Sequence, residues 1–273
     1  MIRFDALALA AAMASASAGI AFAADATPPE IKMPEVSVKD AKGWYVRGDV
    51  GYTVNASRTD TRFRAYNPAS SDYSSNSFDS TRFGGDFSGS LGVGYQFNDL
   101  FRADVAGDFF SGDFDGRISS NSPCSGGPGG TGCSTKAHSS FRAGSLMVNG
   151  YVDLGTLAGF TPYVGAGLGA TRVSWSNVNT IGSCSDGASS CGGAASVSAR
   201  YSGDSDWRLT YALMAGVAYE VAPNVKVDLG YRFSHIAGGE MFGGSAASTG
   251  GTTGRDGALS RHEIRVGLRI TTW

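Results

Sequence analysis

The sequence predicts an all-β chain: an antiparallel, up-and-down barrel of eight long strands that crosses a membrane with its apolar face outward. Three observations predict it. Apolar and polar residues alternate with period two over stretches longer than the roughly 5–6 residues usual for a soluble strand. The joints between those stretches alternate between short turns and Gly/Ser/Asn-rich segments of more than about 20 residues, as in outer-membrane barrels with short periplasmic turns and long extracellular loops. The composition, 40 Gly with 15 Phe and 11 Tyr in 273 residues, is too rich in glycine for helices and too aromatic for disorder.

Residues 1–23 carry Arg3, a run of small apolar residues and Ala21-Phe22-Ala23, the pattern of a cleaved secretory signal. Residues 24–42 hold Pro28, Pro29 and Pro34 among charges and read as an extended periplasmic tether. The barrel is expected over 43–273. Its first strand sets Trp44, Val46, Val50, Tyr52 and Val54 against Tyr45, Arg47, Asp49, Thr53 and Asn55. In the second, FGGDFSGSLGVGYQF from Phe83 to Phe97, Phe83, Phe87, Leu91, Val93, Tyr95 and Phe97 oppose Asp86, Ser88, Ser90 and Gln96.

Phe101, Ala103, Val105 and Phe109 then alternate with Arg102, Asp104 and Asp108, and Leu146, Val148, Val152 and Leu154 with Ser145, Asn149 and Asp153. Val164, Ala166, Leu168 and Ala170 alternate with glycines and Thr171, and the set from Trp207 to Val221 with Arg208, Thr210 and Glu220. Val225 to Phe233 oppose Lys226, Asp228 and Arg232, and Ile264 to Ile270 oppose Glu263, Arg265, Gly267 and Arg269. Asn98-Asp99, the segment 155–160 and Ala222-Pro223-Asn224 supply short turns with suitable residues. The joints around 56–82, 110–139, 174–206 and 236–258 supply the long loops.

The polar faces combine glycine and serine with mid-strand charges of both signs, which suits a narrow interior. With eight strands the lumen is just wide enough for side chains to fill it. Arg47, Asp49, Asp86, Arg102, Asp104, Glu220, Lys226, Asp228, Arg232, Glu263, Arg265 and Arg269 are therefore expected to pair across it as a ladder that plugs the barrel. Aromatics mark both ends of the apolar face, Trp44, Tyr95, Phe97, Phe101 and Tyr219 at the short-turn rim and Tyr52, Phe83, Phe109, Trp207 and Phe233 at the other. Cys124, Cys133, Cys184 and Cys191, in an oxidising compartment, are expected to form disulfides, the simplest pairing being Cys124 with Cys133 and Cys184 with Cys191.

GWYVRGDVGY at 43–52, PYVGAGLGA at 162–170, VDLGYRF at 227–233 and EIRVGLRI at 263–270 carry a resemblance. From about Gly43 to Trp273 the chain resembles the small eight-stranded outer-membrane proteins, similar to the transmembrane domain of outer membrane protein A and to alphaproteobacterial surface antigens of the porin family. Such chains usually end in an aromatic in phase with the lipid-facing residues. Trp273 is out of phase, and a bulge near Thr271-Thr272 is expected to restore it. The resemblance implies a non-enzymatic outer-membrane protein with both termini periplasmic, serving envelope integrity and presenting surface loops. Its implied partners are outer-membrane lipids, lipopolysaccharide, the barrel-assembly machinery and host or cell-surface ligands at the loops. A small solute channel is the alternative.

Several readings are excluded or set aside. A net charge of −2 argues against nucleic acid as a partner. GAGLGA at 165–170 fits a dinucleotide fingerprint, but the β-branched TRVSWSNVNT that follows does not form the required helix. Lipid A deacylases, which are similar barrels, carry a His-x-Ser-Asn motif. Here His235 is followed by Ala237 and Gly238 where serine and asparagine are required, although Ser260 and His262 approach the same rim. Four cysteines near His138 lack zinc-knuckle spacing, and the loop acids Asp60, Asp72, Asp79, Asp113, Asp115, Asp204 and Asp206 read as solvated. No cofactor or metal is expected.

Overall fold

The computed structural model describes residues 42–58, 61–67, 72–84, 87–121, 131–185, 197–243 and 253–272. The chain divides into Met1–Lys39 and Asp40–Trp273. The expected signal, nearly all of the tether, Asp60, Asp86, Cys124, Cys191 and Trp273 lie outside the described residues.

In chain order the strands are β1 (Gly43–Arg58), β2 (Arg62–Asn67), β3 (Asp72–Ser77), β4 (Ser80–Gly84), β5 (Phe87–Gln96), β6 (Phe101–Ser120) and β7 (Gly132–Asp153). They continue with β8 (Phe160–Trp175), β9 (Val178–Ser185), β10 (Val197–Gly203), β11 (Ser205–Ala222), β12 (Val225–Ile236), β13 (Gly239–Gly243), β14 (Thr253–Asp256) and β15 (Leu259–Thr271). Eight of them, β1, β5, β6, β7, β8, β11, β12 and β15, pair antiparallel each to the next, and β15 returns to β1 to complete a ring. The chain is all-β, as expected.

Short connections join the ring at one end. Asn98 Oδ1 accepts from the amides of Leu100 (2.9 Å) and Phe101 (2.8 Å), which fixes the β5–β6 turn. Asn224 (φ 68°) and Gly159 (φ 84°) take the left-handed conformation that the other two turns need.

Alternation decides the faces. Along β6 and β15 every second side chain is buried, and the outward set of the ring includes Leu91 at 75 % exposed, Phe109 at 68 % and Leu213 at 55 %, whereas inward Glu263 and Arg269 are 1 % and 2 % exposed. Exposed aromatics sit at both ends of this band: Trp44, Phe97, Phe101, Phe160 and Tyr219 toward the short turns, Tyr52, Phe87, Phe109, Trp207 and Tyr231 toward the other end. Apolar side chains outside and charged ones inside invert the arrangement of a soluble barrel.

Two expectations are corrected. The four long joints are not structureless, because the ring walls run on through them. The pairing Arg58↔Leu259 carries on as Arg62↔Arg255 between β2 and β14, and Ser174↔Ser205 carries on as Val178↔Tyr201 between β9 and β10. β6 and β7 stay paired as far as Ser120↔Cys133. In these extensions the inward positions turn apolar. Phe110, Phe114, Phe141, Val173, Trp175, Val178, Met241, Phe242 and Leu259 form a buried core, and burying each large side chain contributes about 1.5–3 kcal/mol. That burial is what keeps Gly- and Ser-rich segments in strands.

The second correction concerns 83–97, expected as one strand. Between Gly84↔Asp113 and Ser88↔Phe110 the pairing advances four residues on one side and three on the other, so the alternation changes phase between β4 and β5.

Candidate functional site in the barrel interior

Polar side chains line the lumen, and several of them meet partners on other walls. Nearest the short turns, the Arg47 guanidinium from β1 grips the Asp49 carboxylate at 2.8 and 3.0 Å. It also donates to Asp104 on β6 (3.1 Å) and to the Tyr151 hydroxyl on β7 (2.5 Å). Asp104 further accepts from the Tyr45 hydroxyl (3.2 Å) and Asn149 Nδ2 (2.7 Å). Arg102 pairs with Asp153 (3.1 Å) and lies over the rings of Tyr151 and Tyr163, its guanidinium carbon 4.0 and 4.8 Å from their centres. Arg269 meets Asp228 at 3.3 Å.

Midway along the lumen, one carboxylate oxygen of Asp108 on β6 accepts from Arg232 on β12 (2.6 Å) and from Arg265 on β15 (2.8 Å). β6 and β12 stand opposite each other in the ring, so this bridge spans the interior. Glu263 accepts from Ser88 (2.6 Å) and Arg261 (2.9 Å), and the Arg261 guanidinium lies 3.7 Å from the centre of the Phe110 ring. At the top of the polar section Arg208 contacts Asp206 (2.8 Å) and Asp256 (2.7 Å). Above it begins the apolar core, with Phe141 tilted against Trp175 at 5.0 Å between ring centres and Phe114 edge-on to Trp175 at 6.0 Å.

Of the twelve charges expected in the ladder, Arg47, Asp49, Arg102, Asp104, Asp228, Arg232, Glu263, Arg265 and Arg269 stand in the lumen with partners named above, and Lys226 is half-buried. Glu220 pairs in register with Lys226 but is exposed, because it stands at the short-turn rim where the lumen ends. Asp108, Asp153, Arg208 and Arg261 were not foreseen as ladder members. The first three sit on polar faces visible in the sequence. Arg261 is in phase with Glu263, and reading β15 back to Leu259 finds it. Cys133 and Cys184 are register partners on β7 and β9 and neither is free. His235 Nδ1 and Ser260 Oγ lie 3.0 Å apart on the outer face, with Tyr211 stacked on the imidazole at 5.0 Å. Among the described residues no group of three or more His, Cys, Asp or Glu converges as metal ligands.

A ring of strands with apolar outside and charged inside is matched by comparison with known families: the model of the outer membrane protein beta-barrel domain matches residues 6–269. The chain belongs to the outer membrane protein beta-barrel family. Its apolar band is therefore the lipid-facing surface, and its place is the outer membrane. A Brucella abortus protein of uncharacterised function is 32% identical over 247 residues, covering 83% of this chain and 84% of its own. A Rickettsia bellii protein named as a candidate adhesin is 30% identical over 193 residues, covering 67% and 74%. Among solved structures, neisserial surface protein A superposes with a TM-score of 0.41 at 19% identity, covering 84% of this chain and 97% of that one.

Proposed function

We propose that this outer-membrane barrel is a sealed, non-enzymatic surface protein that supports envelope integrity and presents its extracellular wall to ligands. One observation carries the reading: the charge bridges through Asp108, Asp104 and Arg47 cross the lumen, and a buried aromatic layer stands over them. A water path has to break both layers. The short turns and both termini then face the periplasm, after removal of residues 1–23. The four extensions stand outside. The barrel-assembly machinery inserts the chain among outer-membrane lipids. The adhesin-named relative supports a ligand on host or other cells.

A narrow channel is the second reading, favoured by the buried Arg232 Nε, Arg265 Nε and Ser234 Oγ, which have no protein partner. Single-channel recording of the refolded protein in a planar bilayer separates the two. A silent membrane with verified insertion is expected. Discrete, reproducible openings in most insertions favour the channel.

A further inference from the structure

Outside the barrel, beyond the lipid-facing band, β6, β7 and β9 form a groove of about 710 Å³ whose walls include Asp115, Arg117, Lys136, His138, Asn179 and Ile181. Register stacks these residues in two cross-strand rows. Asp115, His138 and Asn179 form one, closed by a 2.8 Å contact between His138 and Asp115; Arg117, Lys136 and Ile181 form the other. Arg117 and Lys136 are thus two like charges directly opposite on adjacent strands, an arrangement that destabilises a sheet. Both are exposed, and among the described residues neither has an acidic partner. Like charges also face each other at Arg62↔Arg255 and at Lys226↔Arg269, where Arg269 is matched by Asp228; the Arg117–Lys136 pair lines an open groove without such a match. A retained like-charge pair on a groove wall is a recognition surface for an anion.

Position selects the source of that anion. Arg117 lies eight residues beyond the lipid-facing Phe109 on the same outward face of β6, about 20 Å further from the bilayer at the usual strand rise and barrel tilt. The groove lies on the outward wall of the extension, at the height of the saccharide layer in which an outer-membrane barrel stands. We propose that Arg117 and Lys136 hold a phosphate- or carboxylate-bearing saccharide of the outer leaflet's own lipopolysaccharide. Asn179 and His138 supply hydrogen bonds to sugar hydroxyls, and Ile181, 53 % exposed, supplies an apolar contact. This rests on the extracellular placement of the extensions proposed above.

The test uses the full barrel in zwitterionic-lipid nanodiscs. Binding is measured for core-bearing lipopolysaccharide, lipid A without core saccharide, heparin and neutral dextran, with wild type and the Arg117→Gln/Lys136→Gln pair. The expected result is a preference of wild type for core-bearing lipopolysaccharide, weakened by salt and reduced roughly tenfold in the double variant. Without ligand, Arg117→Gln alone is expected to be at least as stable as wild type, because it removes the repulsion. Equal affinity of wild type and double variant overturns the proposal, as does equal binding of lipid A. Binding of heparin in preference to lipopolysaccharide overturns the assigned source. A silent planar bilayer together with labelling of residue 117 by a membrane-impermeant reagent upholds the sealed surface barrel even where the groove proposal fails.

Discussion

Asp108 accepts from Arg232 at 2.6 Å and from Arg265 at 2.8 Å, and among the described residues no other carboxylate joins β6 to β12. Replacing it with alanine leaves Arg232 and Arg265 charged, buried and facing each other. Asp108→Ala is expected to cost about 3–5 kcal/mol in denaturant unfolding from micelles; a loss below about 1 kcal/mol removes the bridge from the account. A second residue-level constraint is space. A Cβ at Gly169 on β8 runs into the Leu146 carbonyl oxygen and Met147 of β7. Gly169→Val is therefore expected to destabilise by about 1–3 kcal/mol or to stop refolding, read by the same unfolding curve. The glycines of GAGLGA thus serve close strand packing. Much of the lumen was visible in the sequence, since parity alone puts Arg47, Asp49, Arg102, Asp104 and Glu263 on one face. Their pairing was not, because partners such as Asp108 and Arg232 come from strands far apart in the chain.

Strand β6 shows how one element serves two environments with a single alternation. Outward it runs Val105, Phe109, then Ser111, Asp113, Asp115 and Arg117; inward it runs Arg102, Asp104, Asp108, then Phe110 and Phe114. The phase never changes, but the polarity of the two faces exchanges around Phe109 and Phe110. For that reason the sequence stops looking like a membrane strand there, and its Gly- and Ser-rich continuation reads as a loop. The missing signal was an inward aromatic every fourth residue, at Phe110 and Phe114, answered by Phe141 on β7 and Trp175 on β8. The exchange makes paired expectations. Val105→Arg is expected to cost about 2–4 kcal/mol as a mid-bilayer charge, while Asp113→Lys on the same face stays within about 0.5 kcal/mol. Phe114→Ala is expected to cost about 3–5 kcal/mol through the cavity left beside Phe78 and Trp175. Equal stability of Val105→Arg and wild type contradicts the assignment of faces.

Taken whole, the molecule is one ring with two interiors: charged and hydrogen-bonded where lipid surrounds it, apolar where the wall stands beyond the membrane. Both fillings follow from the medium outside. Within lipid the apolar side chains are spent on the outer face and the interior is left to polar groups; beyond it the outer face must be polar and the core is built as in a soluble protein. The most direct measurement is nitroxide accessibility along the outward face of β6, with labels at 105, 109, 113 and 117 in liposomes. Relaxation by oxygen is expected to dominate at 105 and 109, and relaxation by a water-soluble nickel chelate at 113 and 117. Oxygen-dominated relaxation at all four positions, or chelate access at 105, contradicts the division of the barrel into a membrane section and an extracellular one.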